Sequence, residues 1–130
     1  MKHLLLDTHV LLWAAAGDAQ LPTTAAKRID DADTQPLFSA ASIWEVVIKS
    51  GLGRNDFQVD PALLRRGLLD NGYEELAISS AHTLAVSRLP DLHKDPFDRI
   101  LVAQAIEEGI EFLTCDQALA AYAGPITLIT

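Results

Sequence analysis

Cysteine, positive charge and long apolar runs are what this 130-residue chain has least of. Cys115 stands alone, so neither an internal disulfide nor a cysteine-built zinc site is available. The 10 Lys and Arg against 18 Asp and Glu give a formal net charge of −8. That balance argues against a nucleic-acid surface built from bulk positive charge and leaves only local basic clusters. The longest apolar runs, such as "VLLWAAAG", fall far short of the roughly 18 to 20 residues that span a bilayer. No membrane span is predicted. No charged segment followed by a cleavable apolar stretch is recognisable, and a cytoplasmic location is expected. Repeats, linkers and low-complexity tracts are also missing. What is present, 49% hydrophobic residues, suits one globular domain over residues 1–130 with a substantial core.

Short apolar runs alternate with helical stretches. "HLLLD" reads as a buried strand, followed by a helix over Thr8 to Ala16 that stops at Gly17 and a second helix opened by Pro22. "PLFS" reads as a strand and "SIWEVVIKSG" as a helix closed by Gly51. Asp60 and Pro61 supply the N-cap and first-turn proline of "PALLRRGLLDNG". "YEELAI" is a predicted strand, "SAHTLAVSRL" a helix ended by Pro90, and "DPFDRILVAQAIEEG" the long helix after it. "EFLT" and "ITLI" are the last strands. Strands separated by helices predict an α/β sheet, mostly parallel, with helices on both faces.

Parallel connectivity carries the residues that follow each strand to one edge of the sheet, where ligands of open α/β folds bind. Asp7 ends the first strand, and Glu45 lies early in the helix after the second. Asp98 opens the long helix, and Asp116 follows Thr114 at the end of "EFLT". Each acid also has a local explanation. Ser42 to Glu45 reads as a capping box, and Glu45 is four residues from Lys49. Asp95 before Pro96 is a natural N-cap, and Asp7 and Asp116 are equally placed to cap the helices after them. Taken together, four carboxylates at one edge repel by about 4 kcal/mol per close pair at an effective dielectric near 20. Helix N-termini offset only about 0.3 to 1 kcal/mol each. A cation is therefore expected. Oxygen donors without a cysteine or histidine cluster favour Mg²⁺ or Mn²⁺, the ions of metal-assisted phosphodiester hydrolysis.

The remaining polar and aromatic residues carry plainer expectations. His3, His9, His82 and His93 lack metal-ligand spacing, and His93 reads as a loop residue. Cys115 reads as a small core residue rather than a nucleophile. Arg99 is expected to pair with the neighbouring acids, or to meet a phosphate. Arg65 and Arg66 read as a solvated helix face or a phosphate-contacting patch. Trp13 and Trp44 read as core or interface anchors. Apolar residues around Trp13 and the "VVI" run after Glu45 predict a homodimer.

"LLLDTHVLLW", "FSAASIWEVVIKSG", "LPDLHKDPFDRILVAQA" and "FLTCDQAL", in this order over nearly the whole chain, resemble the PIN-domain ribonucleases of the VapC toxin type. The resemblance implies a PIN-like fold, a parallel five-stranded sheet with helices on both sides. It implies that Asp7, Glu45, Asp98 and Asp116 form the acidic quartet that holds Mg²⁺ or Mn²⁺, with Thr114, or Thr8 beside Asp7, as the polar residue near the metal. It further implies a dimer that cleaves structured RNA and is silenced by a cognate antitoxin protein. Cys115 departs from the pattern, since a polar residue is expected in the middle of "TCD". A two-component receiver domain would need an adjacent acidic pair after its first strand and a late lysine, yet no Lys or Arg follows Arg99. A haloacid-dehalogenase-type phosphatase would need a second aspartate where "DTH" has His9. The rival of a different class is a PIN-like interaction module that does not cleave.

Overall fold

A computed structural model describes residues 1–53 and 58–129. In chain order the described elements are β1 (Lys2–Leu6), α1 (Thr8–Ala16), α2 (Thr23–Asp30), β2 (Thr34–Ser39), α3 (Ala40–Gly51) and α4 (Pro61–Asp70). They continue with β3 (Glu74–Leu76), α5 (Ser80–Val86), α6 (Pro96–Glu108), β4 (Glu111–Thr114), α7 (Gln117–Ala120) and β5 (Ile126–Leu128). The five strands form one sheet in the order β3-β2-β1-β4-β5. Every pairing is parallel, so the sheet expected to be mostly parallel is wholly so.

Side chains alternate across the sheet, and this period divides the core. Leu4 and Leu6 of β1 face one layer with Val10, Leu11, Ile29, Phe38, Leu68 and Leu113. Leu5 faces the other with Leu37, Leu101, Val102, Phe112 and Tyr122. The unbroken Leu4-Leu5-Leu6 run is thus a strand buried on both faces.

Local chemistry sets the helix ends. Gly17 and Gly109 close α1 and α6 at φ 62° and 66°, left-handed values that favour glycine. Asp95 caps α6 by accepting the Phe97 N–H at 2.9 Å, with Pro96 in the first turn. Several boundaries differ from the sequence expectation. Asp7 lies outside β1 as the N-cap of α1, and β3, at the sheet edge, keeps only Glu74–Leu76 of the six residues in "YEELAI". Pro22 precedes α2 as its cap, and α5 stops at Val86, short of Pro90.

The expected capping box at Ser42 and Glu45 does not form. Helix α3 begins earlier, at Ala40, capped by Ser39. Ser39 is held by tertiary structure: its hydroxyl accepts from the Ala41 N–H at 3.0 Å and donates to Gln104 Oε1 at 2.6 Å. The capping box sits instead at the start of α5, between Ser79 and His82. His82 Nε2 then lies 3.0 Å from Glu108 Oε2, joining α5 to the end of α6.

Candidate metal centre

The chain order of the sheet reverses between β1 and β4, and the crevice past their carboxyl ends is the topological switch point of the fold. Asp7 stands at the end of β1. Its Oδ1 accepts the N–H groups of His9 at 2.8 Å and Val10 at 3.2 Å, and its Oδ2 accepts the Thr114 hydroxyl at 2.5 Å. Thr114, at the end of β4, is fully buried, and its oxygen accepts the Asp116 N–H at 3.0 Å. One hydroxyl therefore joins the loop after β1 to the loop after β4. Asp116 caps α7 through Oδ1, leaving Oδ2 toward the crevice.

Helices α3 and α6 supply the other two acids. Trp44 and Phe97 pack edge to face with ring centroids 5.0 Å apart, bringing the helices together one residue away from Glu45 and Asp98. Glu45 is 2% exposed. Its Oε2 accepts Lys49 Nζ at 2.5 Å, while its buried Oε1 has no hydrogen-bond partner. A second buried hydroxyl contact, Thr8 Oγ1 to Ser42 Oγ at 2.9 Å, ties α3 to α1.

The carboxyl of Asp98 is pushed up to about 7, first by burial and then by the charges of Asp95, Asp7 and Glu45, with His93 acting in the opposite direction. Burial also raises Asp7, opposed by the hydrogen bond from Thr114. These shifts express the cost of gathering acids where water is scarce. A buried carboxylate oxygen without a donor beside mutually repelling acids fits a hard divalent cation, whose preferred ligands are oxygens.

The geometry fits a known family. The sequence matches the PIN domain over residues 4–125. The chain belongs to the PIN domain family. It is similar to Ribonuclease VapC22 of Mycobacterium tuberculosis, at 29% identity over 126 residues that cover 96% of this chain and 95% of the relative. In fold it is similar to VapBC2 from Rickettsia felis, solved bound to a DNA fragment from its promoter, with a TM-score of 0.72 at 12% identity over 98% of this chain and 99% of that one. It is also similar to a toxin-antitoxin complex from Klebsiella pneumoniae, with a TM-score of 0.65 at 17% identity over 95% of each chain. At these identities the two structures speak for the PIN fold alone.

Within this PIN fold Thr114 bonds the Asp7 carboxylate and the Asp116 backbone, His93 stands between Asp98 and Asp116, and the charges of Asp7 and Glu45 act on Asp98. One sequence expectation is corrected. Arg99 pairs with no acid among the described residues. Its guanidinium donates to the carbonyls of Val86, Pro90 and His93 at 3.1 to 3.3 Å and to the Tyr122 hydroxyl at 3.1 Å, because it points away from Asp98 into the loop before α6. His93 lies in a loop, as expected, and there places Nε2 3.6 Å from Asp98 Oδ2 and 3.5 Å from Asp116 Oδ2. Its only sequence signal was its place two residues before the cap of the helix that carries Asp98.

The plainer expectations divide. Arg65 forms an ion pair with Glu75 at 3.0 Å on the surface. Cys115 is half-buried against the core, and burial together with Asp7 raises its thiol, which disfavours the reactive thiolate. Trp13 is half-buried and lines a groove, whereas Trp44 is 57% exposed despite its contact with Phe97. Of the "VVI" run, Val46 belongs to the core and Val47 and Ile48 are exposed.

Proposed function

We propose that this PIN domain is a metal-dependent endoribonuclease and the toxin of a toxin-antitoxin pair. The observation that carries the proposal is the buried, unpartnered Oε1 of Glu45, an acid whose charge adds to burial and to Asp95 and Asp7 in raising the Asp98 carboxyl. Asp7, Glu45, Asp98 and Asp116 hold Mg²⁺ or Mn²⁺, and the domain spans residues 1–130. When bound, such an ion supplies an activated water and neutralises charge on a phosphate oxygen of RNA.

The chain's own groups prepare the site. Three donors fix Asp7 before anything binds: two backbone N–H groups and the Thr114 hydroxyl. Thr114 is thereby the polar residue that sets the spacing of Asp7 from Asp116. Lys49 balances one oxygen of Glu45 and leaves the other for a ligand. A bound cation would favour the ionised form of Asp98 and would offset the repulsion among the four acids.

The partners follow from the relatives and the surface. The fold relatives named above include a toxin-antitoxin complex, and the curated relative is called a ribonuclease. A groove of about 950 Å³ runs past Leu12, Trp13, Ile29, Leu64 and Tyr73, with Asp18, Asp30 and Asp60 on its lining. An antitoxin segment with apolar anchors and basic neighbours suits that surface, its basic side chains meeting Asp18, Asp30 and Asp60. The exposed residues Trp44, Val47 and Ile48 on α3, with Leu52 just past its end, suit a homodimer contact. No described helix is long and apolar enough to cross a membrane, and the proposed place of action is the cytoplasm.

Incubating purified protein with structured RNA tests the function. Cleavage is expected with Mg²⁺ or Mn²⁺ and none in EDTA. Cleavage that persists in EDTA removes the metal mechanism, and metal binding without any cleavage leaves a PIN-like interaction module.

A further inference from the structure

Helix N-termini and shared hydroxyls place the acids, yet one contact in the crevice belongs to neither set. The imidazole of His93 lies between Asp98 and Asp116, at 3.6 and 3.5 Å from one oxygen of each. The three side chains offer ligand atoms within 4.8 Å of one another, a spacing compatible with His93 as a direct metal ligand. The other ring nitrogen decides against that role. His93 Nδ1 accepts the Asp95 N–H at 3.1 Å, so its lone pair is engaged there and a neutral ring carries its proton on Nε2. A protonated nitrogen donates; it does not ligate.

The loop that carries His93 is itself fixed. Arg99, next to Asp98 on α6, spreads its planar fork over the carbonyls of Val86, Pro90 and His93 and the hydroxyl of Tyr122. The carbonyl of His93 is thus held by the residue adjoining one of the acids its ring faces.

We propose that His93 is a positioning residue of the metal site, whose Nε2 faces one oxygen each of Asp98 and Asp116 and sets their separation, with Arg99 anchoring the loop that presents it. The proposal rests on the metal-site reading above. Donors to ligating carboxylates orient them, and their loss typically lowers metal affinity about 10- to 100-fold.

Three measurements on the full chain test it. Long-range ¹H–¹⁵N spectra of the histidine rings should show His93 with its proton on Nε2, both metal-free and with Mg²⁺; a proton on Nδ1 overturns the assignment. Calorimetry with Mn²⁺ should show a loss of affinity of about 10- to 100-fold in His93→Ala. His93→Gln, which returns an N–H at a similar reach, should restore most of it, and Arg99→Lys should give a smaller loss. Melting curves establish that each variant is folded. Pulsed electron paramagnetic resonance of bound Mn²⁺ should show no directly coordinated imidazole nitrogen, and its detection overturns the donor role. If the unaltered protein binds Mn²⁺ and His93→Ala binds it equally well, this inference alone falls. If the unaltered protein binds no Mn²⁺, the metal-site reading falls with it.

Discussion

The two ends of β4 treat carboxylates in opposite ways. At its amino end, Glu111 receives two bonds of 2.6 Å from Arg28 and one of 2.6 Å from the Thr127 hydroxyl, and Arg28 holds its carboxyl below the usual range. At its carboxyl end, Thr114 leads into a group of acids that lacks enough donors, where Asp98 is pushed up to about 7. Both ends contain an acid, a threonine and a strand terminus. A carboxylate supplied with its own cation is finished as structure, whereas one left short of positive charge is prepared for something that arrives later. The strand thus separates a structural acid from candidate functional ones.

Removing a carboxylate from the carboxyl end should break this contrast most severely. Asp98→Asn is expected to reduce RNA cleavage by about 10³-fold, equivalent to about 4 kcal/mol of lost transition-state stabilisation. The same change relieves repulsion, so the metal-free variant should melt about 3 to 10 °C above the unaltered protein at neutral pH. Parallel RNA gels and thermal melts measure both. A variant that loses cleavage because it melts lower would show Asp98 to be structural.

Much of this contrast was legible beforehand, for reasons that differ between residues. Asp7 and Asp116 could be placed because strand ends and helix starts are local signals, and parallel topology then gathers them at one edge. The limits of α1 followed from Asp7 and Gly17 in the same way. Glu45 was placed on the right helix and its pair with Lys49 was legible, whereas the capping box with Ser42 was not borne out. Ser39 wins the cap from Ser42 through its bond to Gln104, 65 residues away, and no local pattern records such a contact. His93 was undervalued for a related reason. Its ring meets Asp98 and Asp116 only along the loop path that Arg99 imposes, and Arg99 reads locally as the partner of the acid beside it.

Proton linkage sharpens the comparison at intermediate size. The folded Asp98 carboxyl binds its proton more tightly than the unfolded one, moving from an ordinary 3.8 to about 7. The folded state therefore holds more protons over that interval, and metal-free stability should fall as pH rises from about 4 to about 7. Mg²⁺ or Mn²⁺ displaces that proton, so binding near pH 6 should release on the order of one proton and binding above pH 8 far fewer. Calorimetry in two buffers of different ionisation enthalpy measures the release. Equal observed heats in the two buffers near pH 6 would mean that no proton is released and that Asp98 is already ionised in the metal-free fold.

The smallest effect belongs to the amino end of β4, and it has the opposite sign. Glu111 has its folded pKa lowered by Arg28, so its contribution is present above the ordinary glutamate range and is lost as pH falls through the lowered value. Both partners are about one-third exposed, at 37% for Arg28 and 32% for Glu111, and water screens much of the attraction. Glu111→Gln should therefore cost only about 0.5 to 1 kcal/mol, or about 2 to 4 °C in Tm at neutral pH. The difference should vanish only once pH has fallen below the lowered folded value, where the carboxylate is protonated in both folded and unfolded chains. Metal affinity and RNA cleavage should stay unchanged, because Glu111 and Thr114 lie at opposite ends of the strand. Melts across pH and a single cleavage assay check both statements. A large loss of cleavage by a variant that still folds would show that the two ends of β4 are coupled, and would end the division between a finished acid and a waiting one.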